Sequence, residues 1–182
     1  MTTHVLVRLA TQTDRPAIRV LLEAAFARNE EADLVDELVD SRAYLPDLEL
    51  VAEEDAQIVG HVMFTRAVIE EPLPGMMSRS VSAIALGPLS VHPDRQSTGV
   101  GAELVREGLD RARILGERVA LVVGHPDYYP RFGFHEALPY GIAAPLDIPS
   151  EAWMVAELVP GGLADVRGTA RLAAPFANPK YW

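Results

Sequence analysis

Cysteine is absent from this chain of 182 residues. That excludes disulfides, thiolate-ligated metal and a thiol nucleophile, and it agrees with a reducing, cytoplasmic setting. Basic residues are few, with 16 Lys and Arg against 26 Asp and Glu for a net charge of −10. A nucleic-acid partner needs a basic face that displaces counterions, so none is expected. No apolar run reaches the ~18 residues of a membrane span, and no membrane partner is expected. Met1 to Val5 lacks the basic start and apolar stretch of a secretory leader. The five histidines show no metal-ligand spacing, which predicts no metal. Repeats, linkers and low-complexity tracts are also missing, so one domain over 1–182 is the simplest organisation.

What remains is an ordinary globular composition, 49% hydrophobic and 23% charged. Its acidity serves solubility and mildly favours a cationic substrate. Val5 to Leu9 reads as a strand. Thr11 and Asp14 then stand like a capping pair before a helix carrying Ile18, Leu21, Leu22 and Ala25 at helical spacing. A second helix is expected near Glu30 to Val39, with Glu30, Glu31 and Asp33 read as a solvated face, the alternative being that these acids face an amine. Leu48 to Glu53 and Ile58 to Val68 read as a hairpin in which His61 is a packed or surface residue. Glu70 to Arg79 reads as a loop, and Val81 to Val91 as a strand broken at Gly87-Pro88 by an edge or a bulge. A helix from about Gly99 to Leu115, with Gly116 as its stop, leads to the apolar strand Val119 to Val123, and hence to a parallel pair. A helical turn over 128–132 follows, with a strand from Gly133-Phe134. Beyond it lie an irregular Pro139 to Pro149, strands at Trp153 to Val159 and Gly168 to Ala174, and a tail from Pro175 to Trp182 whose Tyr181 and Trp182 could dock on a surface.

The stretch from Leu89 to Ala102 organises the rest. A strand is stopped by Pro93, which has no N–H for a ladder, and the chain turns through polar residues into the long helix. Gly99 and Gly101 let the backbone approach a ligand closely, and the first N–H groups of a helix lack internal partners. Together these suit a phosphate or pyrophosphate, although a packing turn would use the same residues. A triphosphate loop would need Gly-Lys-Ser/Thr, and a dinucleotide fingerprint a third glycine and a later acid. Neither is present.

Pro93-x-x-Gln96-x-x-Gly99-x-Gly101 resembles the acetyl-CoA signature of the GNAT superfamily of N-acetyltransferases, with Ser97 where many members carry Gly. Tyr129-Pro130-Arg131-Phe132-Gly133-Phe134 resembles the second half of that signature. Gly124 to Phe134 and Leu158 to Gly162 look like the YhbS-like bacterial subgroup. The resemblance implies an α/β (α+β) fold, with a mixed, mostly antiparallel twisted sheet, a splayed central parallel pair and about four helices. It implies a cofactor-binding core over about 81–135, and C-terminal strands and tail over about 136–182. Acetyl-CoA would be the cosubstrate, held at Leu89, Ser90 and Val91 and by Gln96, Ser97, Thr98, Gly99, Val100, Gly101 and Ala102, with Arg95 at the mouth. Tyr129 would be the general acid to the CoA thiolate, with Tyr128 in reserve and a backbone N–H near Val91 facing the oxyanion. The base stays open between His125, an acid and water. The implied activity is acetyl transfer to a primary amine, small or on a protein, by direct attack in a ternary complex, in a protein free to form a homodimer. A non-catalytic acyl-CoA sensor and a structural domain without ligand are the alternatives.

Overall fold

The computed structural model describes residues 5–75 and 77–181. β1 (Leu6–Leu9) leads through a 3-10 turn into α1 (Arg15–Phe26) and α2 (Glu30–Val39). β2 (Tyr44–Glu54), β3 (Gln57–Glu71) and β4 (Arg79–Val91) form a meander, followed by α3 (Val100–Ile114) and β5 (Val119–Val123). The C-terminal part holds β6 (Phe134–Glu136), β7 (Ile142–Ala143), β8 (Trp153–Glu157) and β9 (Gly168–Arg171). One sheet takes them all, in the order β1-β2-β3-β4-β5-β8-β6, with β9 paired to β3 and β7. Only β4–β5 and β7–β9 run parallel.

Alternation along the strands divides the core between two faces. Leu50, Ala52, Val62, Phe64, Ile84 and Leu86 pack with Leu104, Val105 and Leu109 of α3. On the opposite face Val51 and Met63 pack with Ile18, Leu22, Leu34 and Leu38 of α1 and α2. α3 approaches the sheet so closely that a Cβ at Gly108 would lie 2.4 Å from Cε2 of Phe64, a ring with no exposure. Gly108→Ala is therefore expected to lower stability by about 1–3 kcal/mol from overpacking, exceeding the ~1 kcal/mol that Ala adds to a helix. A lower urea midpoint with an unchanged slope would bear this out. A raised midpoint would contradict it.

The core feature that shapes the site is the parting of β4 from β5. They pair only from Ile84 to Leu86 against Ala120 to Val122. On β4's other side, Val62 pairs with Leu89 and Phe64 with Leu86, so Gly87 and Pro88 together oppose Met63. This two-against-one bulge turns β4 away from β5. From Gly87 to Val91 the strand keeps β3 on one edge and opens on the other.

Several expectations are adjusted. Among the described residues there are three α-helices; the remaining helical segments are short 3-10 turns, of which Tyr129–Phe132 and Leu138–Tyr140 end on a left-handed glycine. The loop expected from Glu70 to Arg79 shrinks, since β3 reaches Glu71 and β4 starts at Arg79. The C-terminal tail is docked: Tyr181 is buried beside α2, with its hydroxyl donating to Oε1 of Glu37 at 2.7 Å. Trp182 lies outside the described residues. The acids of α2 are not all solvated, because Glu31 is buried and ion-paired with Arg28. His61 is the packed residue, hydrogen-bonded through Nε2 to Glu49 at 2.9 Å.

Candidate active site

β4 ends at Val91, and Pro93–Arg95 makes one 3-10 turn, with Nδ1 of His92 accepting the Asp94 N–H. Backbone bonds run from Arg95 N to His92 O and from Gln96 N to Pro93 O, and resume with Glu103 N to Gly99 O. Between them, every N–H from Ser97 to Ala102 donates to no described residue. Ser97 (φ +62°) and Gly99 (φ +98°) both adopt left-handed backbone, which gathers these donors at the positive end of α3. Glycine holds that conformation without a Cβ penalty, and Ser97 tolerates it. At Gly101 a Cβ would sit 3.0 Å from the Tyr128 hydroxyl and 3.3 Å from Cγ2 of Val91.

A groove of about 420 Å³ runs over this turn, lined by Leu89, Val91, Gln96, Ser97, Gly99, Gly101 and Ala102. Two cations border it. Arg95 is ion-paired with Glu54, whereas Arg131 stacks on the Tyr128 ring at 4.6 Å. Gln96 fixes the turn by donating from Nε2 to the Val91 carbonyl at 3.2 Å, and Thr98 does so by donating to the Arg95 carbonyl at 2.6 Å. Val100 is buried against Gly60, and the Ser90 side chain is buried away from the groove, so these two have only backbone to offer it. An orphaned run of N–H groups, a glycine cradle and two guanidinium groups fit a pyrophosphate.

The second cavity, of about 250 Å³, fills the parting of β4 and β5 on the side of α1 and α2. It shares Leu89 with the groove. Tyr129 lines this cavity, while the adjacent Tyr128 lines the groove, so the two neighbours serve opposite ends. The Tyr129 ring stands edge-on to Phe134 at 5.8 Å and to Tyr128 at 5.1 Å. Gly133 (φ +88°) turns the chain from the Tyr129–Phe132 turn into β6, where Phe134 is fully buried. The Tyr-x-x-x-Gly-Phe spacing thus has a local cause: glycine makes the turn and phenylalanine braces the tyrosine. Burial pushes the Tyr129 hydroxyl well above the usual tyrosine range, with Tyr128 adding to the shift, and no described residue hydrogen-bonds it. Burial also raises Tyr128, opposed by Arg131 and Arg106.

His125 is exposed, lines neither cavity, and accepts the Asp127 N–H at 3.3 Å to cap its own turn. Of the three acids at the start of α2, Glu31 alone lines the cavity. Sequence reasoning passed over Arg131 as a cation of the groove, although it stands within the tyrosine motif. It also passed over Gly124, where a Cβ would fall 2.1 Å from Cε2 of Tyr129. Glycine there is what lets the Tyr129 ring lie flat against the end of β5, and only the folded geometry reveals it. Among the described residues no group of His, Asp or Glu converges as a metal site would require, and no helix is long and apolar enough to cross a membrane.

Comparison with known proteins agrees with this geometry. A family model described as an acetyltransferase (GNAT) domain matches residues 6–137. The chain is 37% identical over 159 residues to the uncharacterized N-acetyltransferase YjhQ of Escherichia coli K12, covering 85% of each chain. The structure of the GNAT family N-acetyltransferase YhbS from Escherichia coli in complex with CoA superposes with a TM-score of 0.88 at 27% identity, covering 98% of this chain and 95% of that one. A GNAT family acetyltransferase from Brucella melitensis in complex with acetyl-CoA superposes with a TM-score of 0.74 at 31% identity, covering 96% and 99%. A groove whose free N–H groups fit a pyrophosphate, continuous with a tyrosine-lined opening between two parting strands, thus stands in a chain that belongs to the GNAT acetyltransferase superfamily.

Proposed function

We infer that the protein transfers an acetyl group from acetyl-CoA to a primary amine by direct attack in a ternary complex. The observation that carries this reading is the division of the adjacent tyrosines, Tyr128 beside the free N–H groups of the turn and Tyr129 in the cavity beyond Leu89. A thioester anchored by its pyrophosphate on the turn from Ser97 to Ala102 would run past the open edge of β4 and present its acetyl group to the cavity. The amine must be neutral to attack, and its proton leaves to a cavity acid or to water. Its lone pair forms the C–N bond as the carbonyl electrons move to oxygen, where a β4 backbone N–H near Val91 stabilises the charge. Collapse breaks the C–S bond, and the sulfur takes the electron pair together with the Tyr129 proton. Burial suits Tyr129 to that role, because it keeps the hydroxyl protonated until negative charge develops beside it. Solvent then reprotonates the tyrosinate.

Tyr129→Phe removes the proton while keeping the ring contacts with Phe134 and Gly124. It is expected to lower kcat about 100-fold, with acetyl-CoA affinity little changed. Thiol release measured across a panel of amines, with calorimetric titration of acetyl-CoA, tests both parts. An unchanged kcat would remove Tyr129 from the chemistry. Tight acetyl-CoA binding with no thiol release from any amine would mark a sensor rather than a transferase.

A further inference from the structure

The cavity beside Tyr129 has few polar side chains, and most are already engaged. Trp153 donates its indole N–H to the Ile142 carbonyl at 3.1 Å, and Tyr181 donates its hydroxyl to Glu37. The Glu31 carboxylate is ion-paired with Arg28, which leaves the Tyr129 hydroxyl as the polar group of the lining without a partner among the described residues. The rest of the wall includes Phe26, Leu34, Leu121, Val123 and Leu172. Through Leu172 and Phe176 the cavity meets a second, mostly apolar hollow of about 220 Å³ that also includes Pro145 and Leu146, with Arg171, ion-paired to Glu70, at its border. The C-terminal segment supplies much of this wall and is fastened to α2 by Tyr181 and Lys180, both bonded to Glu37.

We propose that the acetyl acceptor is a primary amine with one positive charge and an elongated apolar body, an alkyl or arylalkyl amine, whose nitrogen is held by Glu31. This names the substrate class of the transfer site inferred above and rests on that reading. Arg28 binds both oxygens of Glu31, yet a carboxylate offers about four acceptor positions, so positions remain for the amine. A polyamine or an aminoglycoside would bury further ammonium groups where the lining's one carboxylate is already paired with Arg28, a large desolvation cost. An extended peptide would need an open trough, and the docked C-terminal segment occupies that side.

The test uses the full chain with acetyl-CoA and n-butylamine, n-hexylamine, 2-phenylethylamine, spermidine and a lysine peptide, scored by kcat/KM from thiol release. The same amines, with 2-phenylethanol as the neutral analogue, are titrated calorimetrically into protein saturated with CoA. The expected kcat/KM rises about fourfold for each CH2 between butylamine and hexylamine. Phenylethylamine should exceed spermidine and the peptide about 100-fold, and Glu31→Gln should raise KM for the amine about tenfold without changing KM for acetyl-CoA. Preference for spermidine or the peptide would overturn the proposal and leave the transfer reading intact. So would acetyl-CoA binding with no affinity for phenylethylamine, or equal binding of phenylethanol. Phenylethylamine bound above CoA but never acetylated would sink the transfer reading while leaving the cavity's selectivity standing. Failure to bind acetyl-CoA at all would remove both.

Discussion

Gly101→Glu is expected to weaken CoA binding about 1,000-fold while the protein stays folded. Gly101 sits in the first turn of α3, where its backbone is helical and carries no positive φ, so a side chain meets no backbone penalty. An acid near a helix N-terminus is, if anything, favourable to the helix. The added carboxylate would instead enter the space between the Tyr128 hydroxyl and Val91, in the line of the groove. A unit charge held about 4 Å from a phosphate costs about 4 kcal/mol at the screening typical of a protein surface, which is about a thousandfold in affinity. Gly101→Ala separates charge from bulk. Its methyl presses on a hydroxyl that can give a few tenths of an ångström, so the loss should be about tenfold or less. Calorimetric titration with CoA reads the affinity, and thermal unfolding without ligand confirms the fold. If the Glu variant bound like wild type, the groove over α3 would not be where the pyrophosphate sits, and Gly101 would be a packing residue. Gly99 is less useful for this purpose, because its φ of +98° makes any substitution a test of backbone strain as well.

What was legible in advance followed from local chemistry. The turn into α3 could be read because Pro93 and Gly99 each state a backbone requirement in their residue type, and Gly101 leaves room beside the first turn of the helix. The tyrosine motif is read from its resemblance to the family's signature, and the structure supplies its local reason in the left-handed turn at Gly133. β5 announced itself by five consecutive apolar residues covered on both faces. Less legible was anything decided by contacts distant in sequence. Glu31 looked like one acid among several at the start of a helix. Its selection for the cavity depends on how α2 docks across the sheet from β5 and on where Leu172 and Phe176 arrive after β9. Tyr181 looked like part of a tail because no local pattern foretells a hydrogen bond to Glu37. The count of about four helices came with the family resemblance; the chain has three α-helices among the described residues, and the single turn read over 128–132 is a 3-10 turn closed by Gly133. His61 was read as a residue without a stated partner, since Glu49 lies on another strand with nothing in the sequence to tie the two together.

That pair leads to the largest effect expected on stability. Glu49 is completely buried between β3 and the start of α1, where it accepts hydrogen bonds from Nη1 of Arg15 at 2.6 Å, from the Tyr44 hydroxyl at 2.6 Å and from His61 at 2.9 Å. Burial alone would push its carboxyl up. The bonds from His61, Arg15 and Tyr44 outweigh burial and hold it at about 2, below its ordinary 4.5, while burial and Glu49 push the Tyr44 hydroxyl up to about 12. Glu49→Ala would leave the Arg15 guanidinium without its counter-charge in a site where Arg15 Nε and His61 Nδ1 already lack partners among the described residues. Removing one member of a buried pair costs about 3–5 kcal/mol, a large share of the ~5–15 kcal/mol that holds a domain folded. For a chain of this size the melting temperature should fall by roughly 6–20 °C. The sign of the pH dependence follows from the lowered pKa. Ionised Glu49 contributes its full stability above about 4.5, its value in the unfolded chain, and loses it as pH falls through about 2. The gap between wild type and Glu49→Ala should therefore be widest near neutrality and narrow between those two values. A gap that stayed constant down to pH 2 would show that the loss came from the cavity left behind, not from the charge. The same anchor bears on function, because Arg15 opens α1 and Phe26 closes it as a wall of the acceptor cavity. Freeing the first turn of α1 from β2 should loosen the helix that carries Phe26, so the KM for the amine should rise in Glu49→Ala even at temperatures where the variant remains folded.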